Sequence, residues 1–310
     1  IFTCDLIGAA LSLIILFSDC FEQLTLGRIN GSVFKLIIII LILFSSYLPL
    51  LLLSFSSLLG IICVSGIILL SLVVGVATGR LGGGQSGFFT TQLWPSDFWS
   101  FALAIGIFMA PWGGHVVFPE LYRDMRHPEK FNSCANVSFF FTWLLNFFLA
   151  ATTYLMFGEN IEDTFTKNLM NFANERETDQ KTFFEVSIQI SIALLMGTLA
   201  LVKAPLVVRP VFSVVEKAAG IDSRALHIPS IRSLLIRVTY CSFLLCMALT
   251  VKLFGDLMAF LGSAICFTIC VIFPLLFLDS LFEVKHRYLL RVGIFISCTL
   301  AAIGTVAVMH

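Results

Sequence analysis

Long apolar blocks separated by short polar interruptions make up most of this chain. Nine such blocks can be marked: Ile1–Phe17, Phe34–Leu53, Leu58–Thr78, Phe98–Pro119, Cys134–Phe157, Phe183–Val208, Leu234–Val251, Leu257–Leu278 and Tyr288–Met309. A bilayer core about 30 Å thick is crossed by about 20 residues of helix, so each block is long enough to be a span. A barrel strand would alternate polar and apolar positions. The run Leu36-Ile37-Ile38-Ile39-Ile40-Leu41-Ile42-Leu43-Phe44 is apolar at every position. A helix also satisfies its own backbone where water is absent. The pattern therefore predicts an all-α, polytopic membrane protein with about nine transmembrane helices, in one transmembrane domain over residues 1–310.

Composition agrees: 58% of residues are hydrophobic and 12% charged, and the mean hydropathy of +0.99 marks lipid as the main solvent. Net charge is zero, so no basic surface points to nucleic acid, and the division of charge between loops carries the information. One set of loops holds Arg123, Arg126 and Lys130, then Arg209, Lys217, Arg224, Arg232 and Arg237, then Lys285, Arg287 and Arg291. That side is read as cytosolic. The opposite side carries an acidic loop with Glu159, Glu162, Asp163, Glu175, Glu177 and Asp179. Nine spans then put Ile1 at the cytosol and His310 outside. The chain opens inside an apolar run without a methionine or a signal peptide, and is expected to be truncated.

The nine cysteines form no CxxC pair, and Cys63, Cys241, Cys246, Cys266, Cys270 and Cys298 lie within spans as small apolar residues. Asn30-Gly31-Ser32 is a glycosylation sequon on the luminal face, whereas Asn136-Val137-Ser138 begins a span on the cytosolic side. Gly82-Gly83-Gly84-Gln85-Ser86-Gly87 lacks the lysine of a phosphate-binding loop and reads as a flexible connection. No HExxH, no GxSxG and no clustered His/Cys set is present, which argues against an enzyme and against a metal or other cofactor. Neither a TVGYG filter nor a span of repeated arginines suggests a channel.

A carrier remains, and its marker is a span interrupted by Gly or Pro, because a discontinuous helix exposes backbone groups near the midplane. The span containing Met109-Ala110-Pro111-Trp112-Gly113-Gly114-His115 fits. Each glycine costs about 1 kcal/mol inside a helix, and Pro111 removes a donor and crowds the preceding turn. At such a break, carbonyls of the first half suit an ammonium, and N–H groups of the second half suit a carboxylate. A zwitterionic amino acid matches both, and Met109–His115 is the candidate substrate site. The alternative on physics alone is a kinked packing helix without a ligand.

The run from Pro111 to His115, continued by Phe118-Pro119-Glu120-Leu121-Tyr122-Arg123-Asp124-Met125, His127-Pro128 and Phe131-Asn132, resembles the sixth span of the amino acid/auxin permease family, with fungal vacuolar amino acid transporters as the nearest branch. Tyr154–Gly158, Asn168-Leu169, Lys203-Ala204-Pro205-Leu206, Phe254, Leu257-Met258, Leu261-Gly262-Ser263 and Pro274 follow in the family's order. The resemblance implies a LeuT-like fold of eleven spans in two inverted repeats, of which the first two would be missing here, and with them the other broken helix. It also implies a vacuolar or lysosomal membrane, with the plasma membrane as the alternative.

Ionisable groups inside spans are costly and often functional. His115 titrates near neutral pH and is a candidate for proton coupling, against a hydrogen-bonded structural role. Asp5, close to the start of the first block, is expected to face water. Lys203 is expected to snorkel. Ser187, Ser191 and Thr198 lie on the span that the resemblance packs against the broken helices, where Ser187 and Ser191 are candidate cation ligands, against hydroxyls that simply bond across helices. Trp94, Trp99 and Tyr122 suit an interfacial belt, and Trp112 a gate or pocket wall. The reading is secondary active transport of neutral amino acids by alternating access, coupled to a proton or to sodium. A non-transporting sensor of the same fold is the alternative, and a pore is a third class.

Overall fold

The computed structural model describes residues 2–48, 50–77, 94–95, 97–162, 164–172, 183–221, 231–251, 254–282 and 287–308. The glycine-rich connection at 82–87 and residues Asp163, Glu175, Glu177, Asp179, Arg224 and Lys285 lie outside them. The described chain is helical, and no strand occurs among these residues. Seven of the helical stretches are long and apolar enough to cross a membrane, and Gly31–Ser45 and Phe98–Gly113 are shorter apolar helices. Together they occupy the nine blocks. Phe55, Val137, Phe140, Phe147 and Phe295 are exposed, which suits lipid rather than water as the outer solvent. The protein is an integral, multi-pass, all-α membrane protein.

The helices gather into two compact units. The first contains Ile1–Gly8, Gln92–Leu144 and Gly255–His310. Its elements are the start of α1 (Phe2–Leu24), α4 (Phe98–Met109), a 3-10 stretch (Ala110–Val117), α5 (Phe118–Asp124), the first half of α6 (Phe131–Phe157), α10 (Phe254–Phe260), two π-helical stretches (Leu261–Cys266 and Thr268–Ile272), α11 (Phe273–Leu281) and α12 (Arg287–Ala307). Small residues let these backbones approach. A Cβ on Gly262 would collide with the carbonyl oxygen of Gly106, one on Gly106 would lie 2.8 Å from the carbonyl oxygen of Ala259, and one on Gly304 would lie 2.8 Å from the Cβ of Ser263. Close approach of this kind replaces the hydrophobic drive that lipid removes.

The eighth block is helical throughout, and between α10 and α11 it widens into two π-helical stretches joined at Phe267. Pro274 bears on the second stretch: it has no N–H for the carbonyl of Cys270, and its ring crowds that turn in an α-helix. Widening the turn upstream relieves both.

The second unit contains Ala9–Thr91 and Leu145–Phe254, built from the rest of α1, α2 (Gly31–Ser45), α3 (Leu50–Ala77), the rest of α6, α7 (Phe165–Phe172), α8 (Phe183–Ala218) and α9 (Ile231–Thr250). Its core includes Cys63, Ile67, Met156, Leu169, Ile188, Ile192 and Met196. Gly60 and Gly66 on α3 let Val202 and Leu195 of α8 close in: a Cβ at either glycine would stand 3.4 and 3.3 Å from them. Asn30 caps α2, its side chain accepting from the N–H of Ser32.

Several boundaries differ from the pattern, and α1 runs past Phe17 to Leu24. The block Phe34–Leu53 divides, because α2 stops at Ser45 and α3 begins at Leu50; the hydroxyls of Ser45 and Ser46 turn back onto the carbonyls of Ile42 and Leu43, and Pro49 follows in the sequence. The acidic loop contains α7, whose Leu169 and Met170 are fully buried, while Asn168 donates to the carbonyl of Asn160 and accepts from the N–H of Glu162, each at 2.8 Å. Finally, α8 runs past Val208 to Ala218 through Pro205 and Pro210.

The added turns of α8 carry Glu216 to a buried cluster. Its carboxylate, 1% exposed, accepts from Arg237 Nε at 2.9 Å and from the Ser233 hydroxyl at 2.6 Å. Arg237 also donates to the carbonyl and hydroxyl of Ser46 at 3.0 and 3.1 Å, and its guanidinium lies 4.4 Å from the Tyr47 ring centroid. At the other end of the same pair of helices, Lys35 Nζ donates to the carbonyl of Ala248 at 2.8 Å, closing the last turn of α9. The start of α2 thus meets the end of α9 and the reverse, so the two are antiparallel and fastened at both ends.

Losing one partner of a buried pair costs about 3–5 kcal/mol, because the other charge stays buried. Arg237→Met is expected to lower the thermal midpoint in detergent strongly. Arg291→Met, which removes an exposed cation 3.4 Å from Asp279, should cost at most about 1 kcal/mol. Equal midpoints for the two variants would refute the difference.

Candidate functional site

The interrupted span is where local sequence and local structure meet most directly. Helix α4 starts from Asp97, whose side chain accepts from the N–H of Ser100, and runs regularly to Met109. At Ala110 it tightens into the 3-10 stretch, and at Gly113 the backbone leaves helical geometry with φ −66° and ψ +16°. Pro111 cannot donate to the preceding turn, and the glycine pair makes the departure cheap. The chain recovers as α5 at Phe118.

Two neighbours sit against the break. On the π-helical side, the thiol of Cys266 lies 3.6 Å from the carbonyl oxygen of Ala110, and the thiol of Cys270 lies 3.4 Å from that of Trp112. A carbonyl has two lone pairs, and in both residues one of them faces the π-helical stretches. From the start of α1 comes Asp5, whose Oδ1 lies 3.5 Å from the thiol of Cys266. A Cβ on Gly113 would stand 3.1 Å from Asp5 Oδ2 and 3.2 Å from Cys266 Sγ, so a side chain there would crowd both. Asp5 is 7% exposed; the expectation that it faces water is corrected. The reason is the glycine: with no side chain at 113, the carboxylate is covered by the broken segment itself.

The other side of the break is apolar. A cavity of about 350 Å³ opens beside Trp112, with Pro111, Phe118, Phe131, Phe139 and Ser138 among its walls. The indole stacks on Phe139 at 5.9 Å between centroids and 16° between planes, and Phe118 meets Phe131 and Phe139 edge-on. Such a cavity has the size and lining of a small-molecule site.

The candidate residues distribute as follows. Met109 ends α4, and Ala110, Pro111, Trp112, Gly113, Gly114 and His115 lie in the 3-10 stretch. The side chain of His115 lies outside the described residues. Ser187 and Ser191 are on α8 in the second unit, where the Ser187 hydroxyl donates to the carbonyl of Phe183 at 2.7 Å. Lys203, Trp94, Trp99 and Tyr122 are exposed. By pattern alone Cys266 and Cys270 read as small apolar residues. Their four-residue spacing on a span containing Gly262-Ser263 and Pro274 was the available signal, but it becomes legible only once the π turns put both thiols on the break.

Comparisons with known proteins agree with this architecture. The family described as "Transmembrane amino acid transporter protein" matches residues 1–310. Among curated proteins, the Arabidopsis thaliana protein "Amino acid transporter AVT1D" is 28% identical over 295 residues, covering 91% of this chain and 49% of the relative. "Amino acid transporter AVT1E" of the same plant is 30% identical over 180 residues, 58% of this chain and 32% of the relative, and "Amino acid transporter AVT1H" is 30% identical over 172 residues, 54% and 36%. The chain spans about half or less of the length of these relatives. No solved structure matches it. The relatives are named as transporters, in keeping with the reading that this is not an enzyme. With its whole length matched, the chain belongs to the transmembrane amino acid transporter family.

Proposed function

We propose that this protein carries neutral amino acids across a membrane by alternating access, as a secondary active transporter coupled to a proton. The observation that carries the reading is the backbone break at Gly113, inside a family of amino acid transporters. Broken helices hold both ends of a zwitterion with backbone groups alone. The apolar cavity beside Trp112 supports a substrate whose side chain is uncharged, since a charged one would be desolvated there without a partner. His115 is the proposed proton group, with Ser187 and Ser191 as proposed cation ligands should sodium be the partner. A vacuolar membrane, with export to the cytosol, is the location proposed on family resemblance.

The first test uses the full-length protein reconstituted in vesicles, with labelled amino acids and an imposed pH gradient. Saturable uptake that follows the gradient is expected; amino acids that bind but never cross under any ion gradient overturn the transport reading. Gly113→Val sets a branched side chain against Asp5 and Cys266. It is expected to abolish uptake while expression and membrane insertion persist, and native uptake in that variant would sink the broken-helix site. His115→Gln is expected to remove the pH dependence of uptake; an unchanged pH profile takes His115 out of the proton path.

A further inference from the structure

The face of the break that meets Asp5 has more acceptors than donors. Asp5 Oδ1 and the carbonyl of Ala110 both face the thiol of Cys266, and the carbonyl of Trp112 faces the thiol of Cys270, while Asp5 Oδ2 lies toward Gly113. Thiols are weak donors, and each carries a single hydrogen. The Cys266 hydrogen is shared between Asp5 and Ala110, at 3.5 and 3.6 Å, so it serves neither acceptor fully. Among the described residues, that thiol is the one hydrogen-bond partner of Asp5, and no Lys or Arg forms an ion pair with it. Elsewhere the protein pairs its buried anion: Glu216 has Arg237 and Ser233. A buried carboxylate beside outward-facing carbonyls is the donor set that hard monovalent cations and ammonium groups take, and a buried charge without such a partner is strongly disfavoured.

We propose that Asp5, with the carbonyls of Ala110 and Trp112, forms a binding site for a monovalent cationic group at the broken helix. Gly113 lets the broken segment lie close to this carboxylate, since a Cβ there would stand 3.1 Å from Asp5 Oδ2, tighter than ordinary van der Waals contact. The thiols of Cys266 and Cys270 line it from the π-helical stretches and are the titratable groups that face Asp5 from that side. Two sources of the cation share this chemistry: the ammonium of the transported amino acid, and the coupling ion, a proton or sodium. The site rests on the transport reading, and its failure is separable from the failure of that reading.

The deciding variant is Asp5→Asn in the full-length protein, which keeps the shape and removes the charge. Two quantities are measured in vesicles: half-saturation for amino acid in exchange without any gradient, and accumulation under an imposed pH or sodium gradient. If the ammonium occupies the site, exchange half-saturation rises at least about 10-fold. If the coupling ion does, exchange stays native while gradient-driven accumulation falls by at least a similar factor. Native values for both overturn the proposal while leaving the carrier reading intact. A native protein that moves no amino acid refutes the carrier reading instead. Should Asp5→Asn fail to insert, Asp5→Glu carries the test: it keeps the charge one methylene further out. It is expected to transport with an altered half-saturation for substrate or ion, and inserted Asp5→Glu protein with both values native overturns the site.

Discussion

Hydrogen-bond satisfaction of the backbone away from water is the constraint on which this structure depends. Regular helices meet it internally for most of the chain. Between Ala110 and Val117 the regular ladder is lost, and the break is tolerable because another irregular element lies beside it: the π-helical stretches bring two thiols to its carbonyls. Each irregular span carries its own proline, Pro111 in one and Pro274 in the other. The glycine contact between Gly106 and Gly262 brings the two close enough for side chains as short as cysteine to reach.

The spans were legible because lipid imposes a crude code: continuous apolar runs of sufficient length. The break was legible for a similar reason, since Pro111 and the pair Gly113-Gly114 violate helix chemistry in an otherwise apolar run. What the pattern could not convey was partnership. Asp5 and Cys266 are 261 positions apart in the chain, and nothing local to Asp5 marks it as covered rather than wet. Helix α7 was missed because eight residues are too few for a periodic signal to stand out in an acidic stretch. The extension of α8 was missed because Pro205 and Pro210 read as terminators, while the interaction that draws the helix onward, Glu216 with Arg237, belongs to a different part of the sequence.

The two units manage polar groups in opposite ways. The second closes its buried charge completely: Arg237 spends donors on Glu216 and Ser46 and lays its face over Tyr47. Such a cluster fixes one packing of α2, α8 and α9. In the first unit, among the described residues, the carboxylate of Asp5 has one hydrogen-bond partner, a thiol. One buried acid is thus held by a full set of partners, and the other lies against a single weak donor.

The contact between Gly106 and Gly262 also bears on how such a protein can diversify. Neither position tolerates even a methyl group, since a Cβ at either would strike the opposing backbone. The aromatic wall around Trp112 is made of side chains with free space in front of them. Substitution is therefore open at the cavity wall and closed at the glycines, so that drift can reshape the cavity without touching the joint between the two irregular helices.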